Sequence, residues 1–142
     1  MTEGLQELYV VVRGGGGPDS KGSAFFKVLR VSAETVEDLS PSRSASQWAL
    51  ARLFSVRADD LKHAAEPTEE FAQQVREGFA RATSTLKLCE REGLDQWRAH
   101  GNRADVFIGG WLANEQIDLE IPADFLSECG RLGLCLTLST ND

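Results

Sequence analysis

Residues 105–140 form the stretch that most strongly constrains what this chain can fold into. The stretch contains, in order, the segments VFIGGW, IDLEI, PADFLSECGRLG and LCLTLS. The first, second and fourth segments are short apolar or alternating runs, which is typical of β-strands. The third has apolar residues at helical spacing, and Pro122 and Gly133 are residue types that begin and end helices. The stretch therefore predicts a C-terminal strand–strand–helix–strand unit.

Residues 68–92 are predicted to form a long amphipathic helix. The apolar residues that recur there at steps of three and four are Phe71, Val75, Phe79, Ala82, Leu86 and Cys89. This recurrence produces one apolar stripe along the helix. Gly93 follows the last of these residues and marks the expected end. A helix with such a stripe is expected to pack on a sheet.

The N-terminal part predicts two strands joined by a flexible loop. Residues 8–13 (LYVVVR) and 24–31 (AFFKVLRV) have strand-like compositions. A glycine-rich loop over residues 14–23 separates them, because its glycines disfavour regular structure. Ser32 is a suitable N-cap for a short helix over residues 33–39.

Three further segments complete the assignment. Residues 48–54 (WALARLF) fit both a strand and a helix, and the pattern slightly favours a strand. Residues 58–65 predict one or two helical turns, and residues 94–100 predict a short strand.

Together these elements predict a single α+β domain over residues 1–142, a length that suits one domain. Its mostly antiparallel sheet would be covered on one face by the long helix and the C-terminal helix. Two strand–strand–helix–strand units on either side of the long helix suggest a duplicated, ferredoxin-like arrangement.

Composition limits the classes of partner. The formal net charge is −7, so the chain would repel nucleic acid. Residues 58–142 carry sixteen acidic and eight basic side chains, whereas residues 1–57 are nearly balanced. An acidic half of this kind suits either a solvated surface or a basic protein partner.

The N-terminus predicts no secretory signal, and no apolar run reaches the roughly 20 residues that span a bilayer. Cys89, Cys129 and Cys135 are too few for a disulfide framework. These features lead us to expect a cytoplasmic protein.

No motif predicts a catalytic residue, a cofactor or a metal ion. The segment GGGGPDSKGS differs from a phosphate-binding loop, because Lys21 precedes Gly22 and a strand, not a helix, is expected to follow. His63 and His100 are far apart and lack metal-ligand spacing. No serine has the surroundings of a catalytic nucleophile.

Tryptophan and acidic residues near the C-terminal unit are the candidates for a binding surface. Trp48, Trp97 and Trp111 suit either a core or an interface, because tryptophan is enriched in both. Asp118 and Glu120 would project from one face of a strand close to Trp111. We therefore predict that Trp111, Asp118 and Glu120 bind a partner.

The order of landmarks resembles that of a known family. The landmarks are, in order along the chain, an early strand, a small helix, the segment Trp48-Ala-Leu, a long amphipathic helix and the C-terminal unit VFIGGW–IDLEI–ADFLSECGRLG–LCLTLS. This order resembles the bacterial family catalogued as domain of unknown function 4279. The resemblance implies an α+β fold, a cytoplasmic location and, in some members, a toxin-neutralising or other protein-binding role.

Three functional hypotheses follow. The leading one is a non-enzymatic protein-interaction module of the immunity or antitoxin kind, whose acidic surface meets a basic partner. The second is a small ligand-binding domain or enzyme with a pocket between sheet and helix. The third is a subunit of a structural homo-oligomer, which would expose an apolar face.

Overall fold

The computed structural model describes residues 7–15, 22–41, 48–57, 67–111 and 119–140, which form five strands and four helices. The strands are β1 (Glu7–Gly15), β2 (Asp38–Ser40), β3 (Trp48–Arg57), β4 (Arg103–Trp111) and β5 (Cys135–Thr140). The helices are α1 (Gly22–Leu29), α2 (Pro67–Lys87), α3 (Arg91–Ala99) and α4 (Ala123–Leu132). The predicted α+β class is confirmed.

The strands form one sheet in the order β2-β3-β1-β4-β5. All neighbouring strands are antiparallel except β4 and β5, which are parallel and are joined by α4. The units β1–α1–β2 and β3–α2–α3–β4 interlock in the split β-α-β arrangement of ferredoxin-like folds. These interlocking units replace the two strand–strand–helix–strand units that the sequence suggested.

The hydrophobic core lies between one face of the sheet and the helices. Its largest fully buried side chains are aromatic, and they are Phe25, Phe54, Phe79 and Phe125. Phe79 of α2 contacts Phe54 of β3 and Phe125 of α4, with ring centroids 5.0 and 4.9 Å apart. The prediction that α2 and α4 cover one face of the sheet is therefore confirmed, and α1 and α3 contribute to the same core.

The predicted strand over residues 24–31 is wrong, because residues 24–29 belong to helix α1 and residues 30 and 31 follow its end. Phe25, Phe26 and Leu29 are buried at helical spacing, whereas Lys27 and Arg30 are exposed. The helical pattern is only eight residues long, and its adjacent apolar residues also fit a strand.

The long helix is shorter than predicted and ends at Lys87 instead of residue 92. The predicted strand over residues 94–100 is also wrong, because helix α3 occupies this position and buries Leu94 and Trp97 three residues apart. Gly93 therefore lies inside α3 and does not end α2.

Smaller differences concern the connecting segments. Ser32 begins a turn, where its side chain accepts a hydrogen bond from the Glu34 amide at 3.3 Å, and no helix follows over residues 33–39. Gly14 and Gly15 of the predicted loop over residues 14–23 belong to β1, and residues 22 and 23 belong to α1. Residues 119–121 of the segment IDLEI are not in a strand.

Residues 16–21, 58–65 and 117–118, on which other predictions fall, lie outside the described residues. The strand assignment for residues 48–54 is confirmed by β3, and the remaining C-terminal assignments are confirmed by β4, α4 and β5. Among the described helices, none combines the length and the apolar character needed to cross a membrane.

Candidate binding face of the sheet

The sheet face opposite the helices, which we call the outer face, carries the most distinctive side chains of the molecule. Successive strand residues point to opposite faces, so Leu8, Val10 and Val12 of β1 enter the core while Tyr9 and Arg13 lie on the outer face. No described helix packs on the outer face. The outer face is therefore the candidate binding face considered below.

A groove with a volume of about 540 Å³ crosses the outer face. The residues that line it are Glu7, Tyr9, Val11, Arg13, Asp38, Ser40, Trp48, Leu50, Arg52 and Phe107. They come from strands β1, β2, β3 and β4, so the groove depends on the register of these four strands.

Three aromatic rings and two guanidinium groups form a continuous aromatic–arginine stack across the outer face, composed of Tyr9, Phe107, Arg13, Trp48 and Arg103. The Tyr9 and Phe107 ring centroids are 6.0 Å apart. The Arg13 guanidinium carbon lies 4.4 Å from the Phe107 centroid and 4.5 Å from the Trp48 centroid. The Arg103 guanidinium carbon is 4.9 Å from the Trp48 centroid. These distances are those of cation–π contacts.

Arg13 is held at the centre of the stack by Asp105. Arg13 Nε donates a hydrogen bond to Asp105 Oδ1 at 2.8 Å, and Nη2 donates to Oδ2 at 2.6 Å. Thr137 of β5 donates a third hydrogen bond to Asp105 Oδ2 at 2.7 Å. A bidentate pair of this kind fixes the plane of the guanidinium group. Three strands therefore contribute to the position of one arginine.

Two glycines make room for the stack. Gly15 of β1 lies opposite both Trp48 and Arg103, and because it has no side chain these two residues can meet across β1. At Gly109, an added Cβ would overlap the rings of Tyr9 and Phe107. The arrangement therefore depends on small residues as well as on aromatic ones.

The charges of the outer face are unequally neutralised. Arg52 forms ion pairs with Asp38 at 3.2 Å and Glu37 at 3.7 Å, and Arg13 is paired with Asp105. Arg103 is exposed and has no acidic partner within the part of the chain that the structure describes. Among the described residues, Arg103 is therefore the cation of the stack that lacks an acidic partner.

Helix α3 positions the backbone of Arg103. The indole Nε1 of Trp97 donates a hydrogen bond to the Arg103 carbonyl at 2.9 Å. The Trp97 ring is buried and lies 5.2 Å from the Phe25 ring, centroid to centroid. Of the three tryptophans, Trp97 is thus a core residue, whereas Trp48 is a half-buried residue of the outer face.

The binding surface that the sequence predicts from Trp111, Asp118 and Glu120 stays a prediction, because most of it falls outside the described residues. Trp111 ends β4 opposite Glu7, and its side chain lies outside the described residues. Asp118 also lies outside them. Glu120 is exposed in the segment that precedes α4 and is not in a strand.

The described residues His100, Cys89 and Cys129, which were considered for chemistry, do not line the groove. The exposed His100 has its Nδ1 2.7 Å from the Gln96 carbonyl, and His63 lies outside the described residues. Burial raises the pKa of the Cys89 and Cys129 thiols to about 11. In the described ranges, no group of three histidine, cysteine or acidic side chains is placed to hold a metal ion.

The sequence contained a partial signal for the outer face. Tyr9, Val11 and Arg13 alternate with the apolar residues of β1, so their common face could have been inferred from the segment LYVVVR. Their juxtaposition with Trp48, Asp105 and Phe107 depends on the pairing of β1 with β3 and β4, which no local pattern reveals.

Comparison of the chain with protein-family models, with curated proteins and with solved structures found no match. The resemblance to the bacterial family of unknown function therefore stays a prediction.

Proposed function

We propose that this protein is a non-enzymatic interaction domain that binds a protein partner through the outer face of its sheet. The observation that supports this proposal is the aromatic–arginine stack. Tryptophan, tyrosine and arginine are the residues most enriched at the energetic centres of protein interfaces. In this chain they lie side by side on a face that no described helix covers.

The stack is prepared for binding before a partner arrives. Asp105 fixes the plane of Arg13, and the flanking rings limit the rotation of its side chain. The side chains of Arg13 and Asp105 are only 19% and 13% exposed, although no described helix covers them. Rigid side chains lose less conformational entropy on binding, so more of the contact energy contributes to affinity.

Long-range electrostatics would act separately from this contact surface. The net charge of −7 would speed the approach of a basic partner, and salt would weaken that effect. The specific form of the proposal is an immunity-like or antitoxin-like role, in which the partner is a basic protein.

The proposal can be tested by affinity recovery of the tagged protein from its native host at low and high salt, followed by binding measurements with purified partner. We expect a stoichiometric partner, and we expect Trp48→Ala to weaken its binding by more than about tenfold, as truncation of an interface anchor does. Arg103→Glu should weaken binding comparably, because it removes the cation–π contact with Trp48 and places a carboxylate against the ring that anchors the partner.

Arg76→Glu provides a matched control, since Arg76 is an exposed arginine of α2, on the helical side of the sheet. This variant should bind normally. Equal binding by all three variants would exclude the outer face as the binding surface. Recovery of the protein alone at low salt would contradict the interaction proposal itself.

A second candidate function is the binding of a small ligand in the same groove, which the volume of about 540 Å³ supports. Pockets for small ligands measure roughly 300–1,000 Å³ and combine aromatic walls with a few polar groups. The groove lies on the face opposite the helices, whereas the sequence-based alternative placed the pocket between sheet and helix, a space that Phe54, Phe79 and Phe125 fill. Native mass spectrometry that finds a co-purifying small molecule, lost in Trp48→Ala, would favour this candidate.

A further inference from the structure

Strand β5 is an edge strand of the sheet formed by the described residues. It pairs with β4 on one side, and none of the described strands pairs with its other side. Its six residues, CLTLST, include no charge, proline or glycine. The opposite edge, β2, has three residues and carries Asp38. Natural sheets usually keep their edge strands short or charged, which prevents pairing with other chains. Strand β2 has both properties and β5 has neither, as expected of a strand that is used for pairing.

The flank of α4 beside this edge is also apolar. Leu138 of β5 is 57% exposed and Leu126 of α4 is 44% exposed. The other exposed residues on this flank of α4 are small and uncharged, and they are Ala123, Ser127 and Gly130. Arg131 contacts the end of α2, and helical periodicity places Leu126 on roughly the opposite flank, away from α2.

We infer that β5 and this flank of α4 form the interface of a homodimer, in which β5 pairs antiparallel with β5 of a second copy. A foreign peptide strand would satisfy the backbone groups of the edge and leave α4 exposed. A second copy related by a two-fold axis supplies a strand and a helix together, so that it covers the strand edge, Leu138 and Leu126 at once.

Charge opposes the approach of a second copy less at β5 than at charged parts of the surface. With a net charge of −7, two copies repel each other across most surfaces. The uncharged strand β5 lets them approach without opposing two like charges directly. A two-fold axis perpendicular to the sheet extends it to ten strands, with both α4 helices on one face and both grooves on the other. The dimer does not depend on what the grooves bind.

Sedimentation equilibrium of the full chain over roughly 1–200 µM tests the inference, because dimerisation depends on concentration. The wild type should approach twice the monomer mass of 15.6 kDa. Leu138→Lys should raise the dimer dissociation constant at least about tenfold, because each substitution acts twice at a two-fold interface. Leu126→Lys, a second exposed site, should act in the same direction.

Leu88→Lys is the matched control, because Leu88 is 57% exposed, as Leu138 is. Leu88 follows α2, and the end of α2 contacts the flank of α4 opposite the proposed interface. It should dimerise like the wild type. Hydrogen exchange of the β5 amides should slow with concentration in the wild type and not in Leu138→Lys.

A wild type that stays monomeric, or dimers equally stable in all variants, would overturn the inference. Protection of the β5 amides only after addition of a different protein would assign the edge to a foreign strand and would also overturn it. Circular dichroism of each variant shows whether it is folded. If a variant does not fold, the mass of the wild type and the concentration dependence of its β5 amide exchange still test the inference.

Discussion

At the scale of single residues, Asp105 should be the acidic residue on which the outer face depends most. Asp105→Asn removes one charge-assisted hydrogen bond to Arg13 and leaves a half-buried guanidinium group between two rings. We expect the free energy of unfolding to fall by about 1–3 kcal/mol. Asp95→Asn changes the same residue type in an exposed pair with Arg98 and should have almost no effect. Urea unfolding of both variants measures the difference, and equal losses would contradict the assigned role of Asp105.

The three cysteines should differ in reactivity because they differ in burial. Cys89 and Cys129 are buried and Cys135 is exposed. Burial raises the pKa of Cys89 and Cys129 from the ordinary 9.0 to about 11, and only the thiolate reacts with alkylating reagents. Iodoacetamide at about pH 8 should therefore label Cys135 alone in the native protein and all three residues in denaturant, as read by peptide mass spectrometry.

The same shift predicts how stability depends on alkaline pH. Because the folded state keeps both thiols protonated, their contribution to stability is fully present below pH 9.0 and is lost as the pH rises to about 11. Cys89→Ala/Cys129→Ala should show a smaller loss of stability across this range. An identical pH profile in wild type and double variant would contradict the prediction.

At the scale of elements, the contact between α2 and β3 depends on a glycine within a helix. An added Cβ at Gly78 would overlap the Phe54 ring, whereas at Gly130 of α4 it would meet nothing within 4 Å. Gly78→Ala should therefore lower the free energy of unfolding by about 1–3 kcal/mol in spite of its better helix propensity. Gly130→Ala should raise it by about 0.5–1 kcal/mol. Thermal unfolding at low protein concentration compares the two, and stabilisation by both would contradict the close packing.

The end of α2 depends on a side chain distant in sequence. Arg131 Nη2 donates hydrogen bonds to the carbonyls of Leu86 and Cys89, at 2.9 and 3.0 Å. Arg131→Ala should cost about 1–2 kcal/mol, because terminal helix carbonyls lose their partner. Arg81→Ala, at an exposed position of α2, should change stability by less than about 0.5 kcal/mol. Chemical denaturation measures both, and a similar effect would show that α2 ends without help from Arg131.

These contacts explain which elements could be predicted from the sequence. Helix α4 and strands β4 and β5 have strong local signals, such as Pro122 and Gly133 around α4. Helix α1 was predicted as a strand because its eight residues are too few for periodicity to decide. The end of α2 involves Arg131, and the aromatic–arginine stack requires the register of β1 with β3 and β4. Both are long-range contacts, so no local pattern contains them.

At the scale of the whole molecule, the four described helices lie on one face of the sheet, and the binding that we propose uses the other face. The fifth strand, which follows α4 and extends the ferredoxin-like unit, provides Thr137 to Asp105 and is the edge that we propose pairs with a second copy. One extension thus supports the candidate binding face and forms the proposed dimer interface. It follows that the extension should fold together with the rest of the chain.

Phe125 provides the test of that cooperativity. It lies on α4, is fully buried and contacts Phe79 of α2 with ring centroids 4.9 Å apart. Phe125→Ala should lower the free energy of unfolding by about 3–5 kcal/mol, the usual cost of removing a core aromatic ring. Leu88→Ala should cost less than about 0.5 kcal/mol, because this side chain is exposed. Far-ultraviolet circular dichroism and tryptophan fluorescence should give one coincident transition in each variant. If the extension were an independent appendage, Phe125→Ala would leave the main transition in place and add a second one.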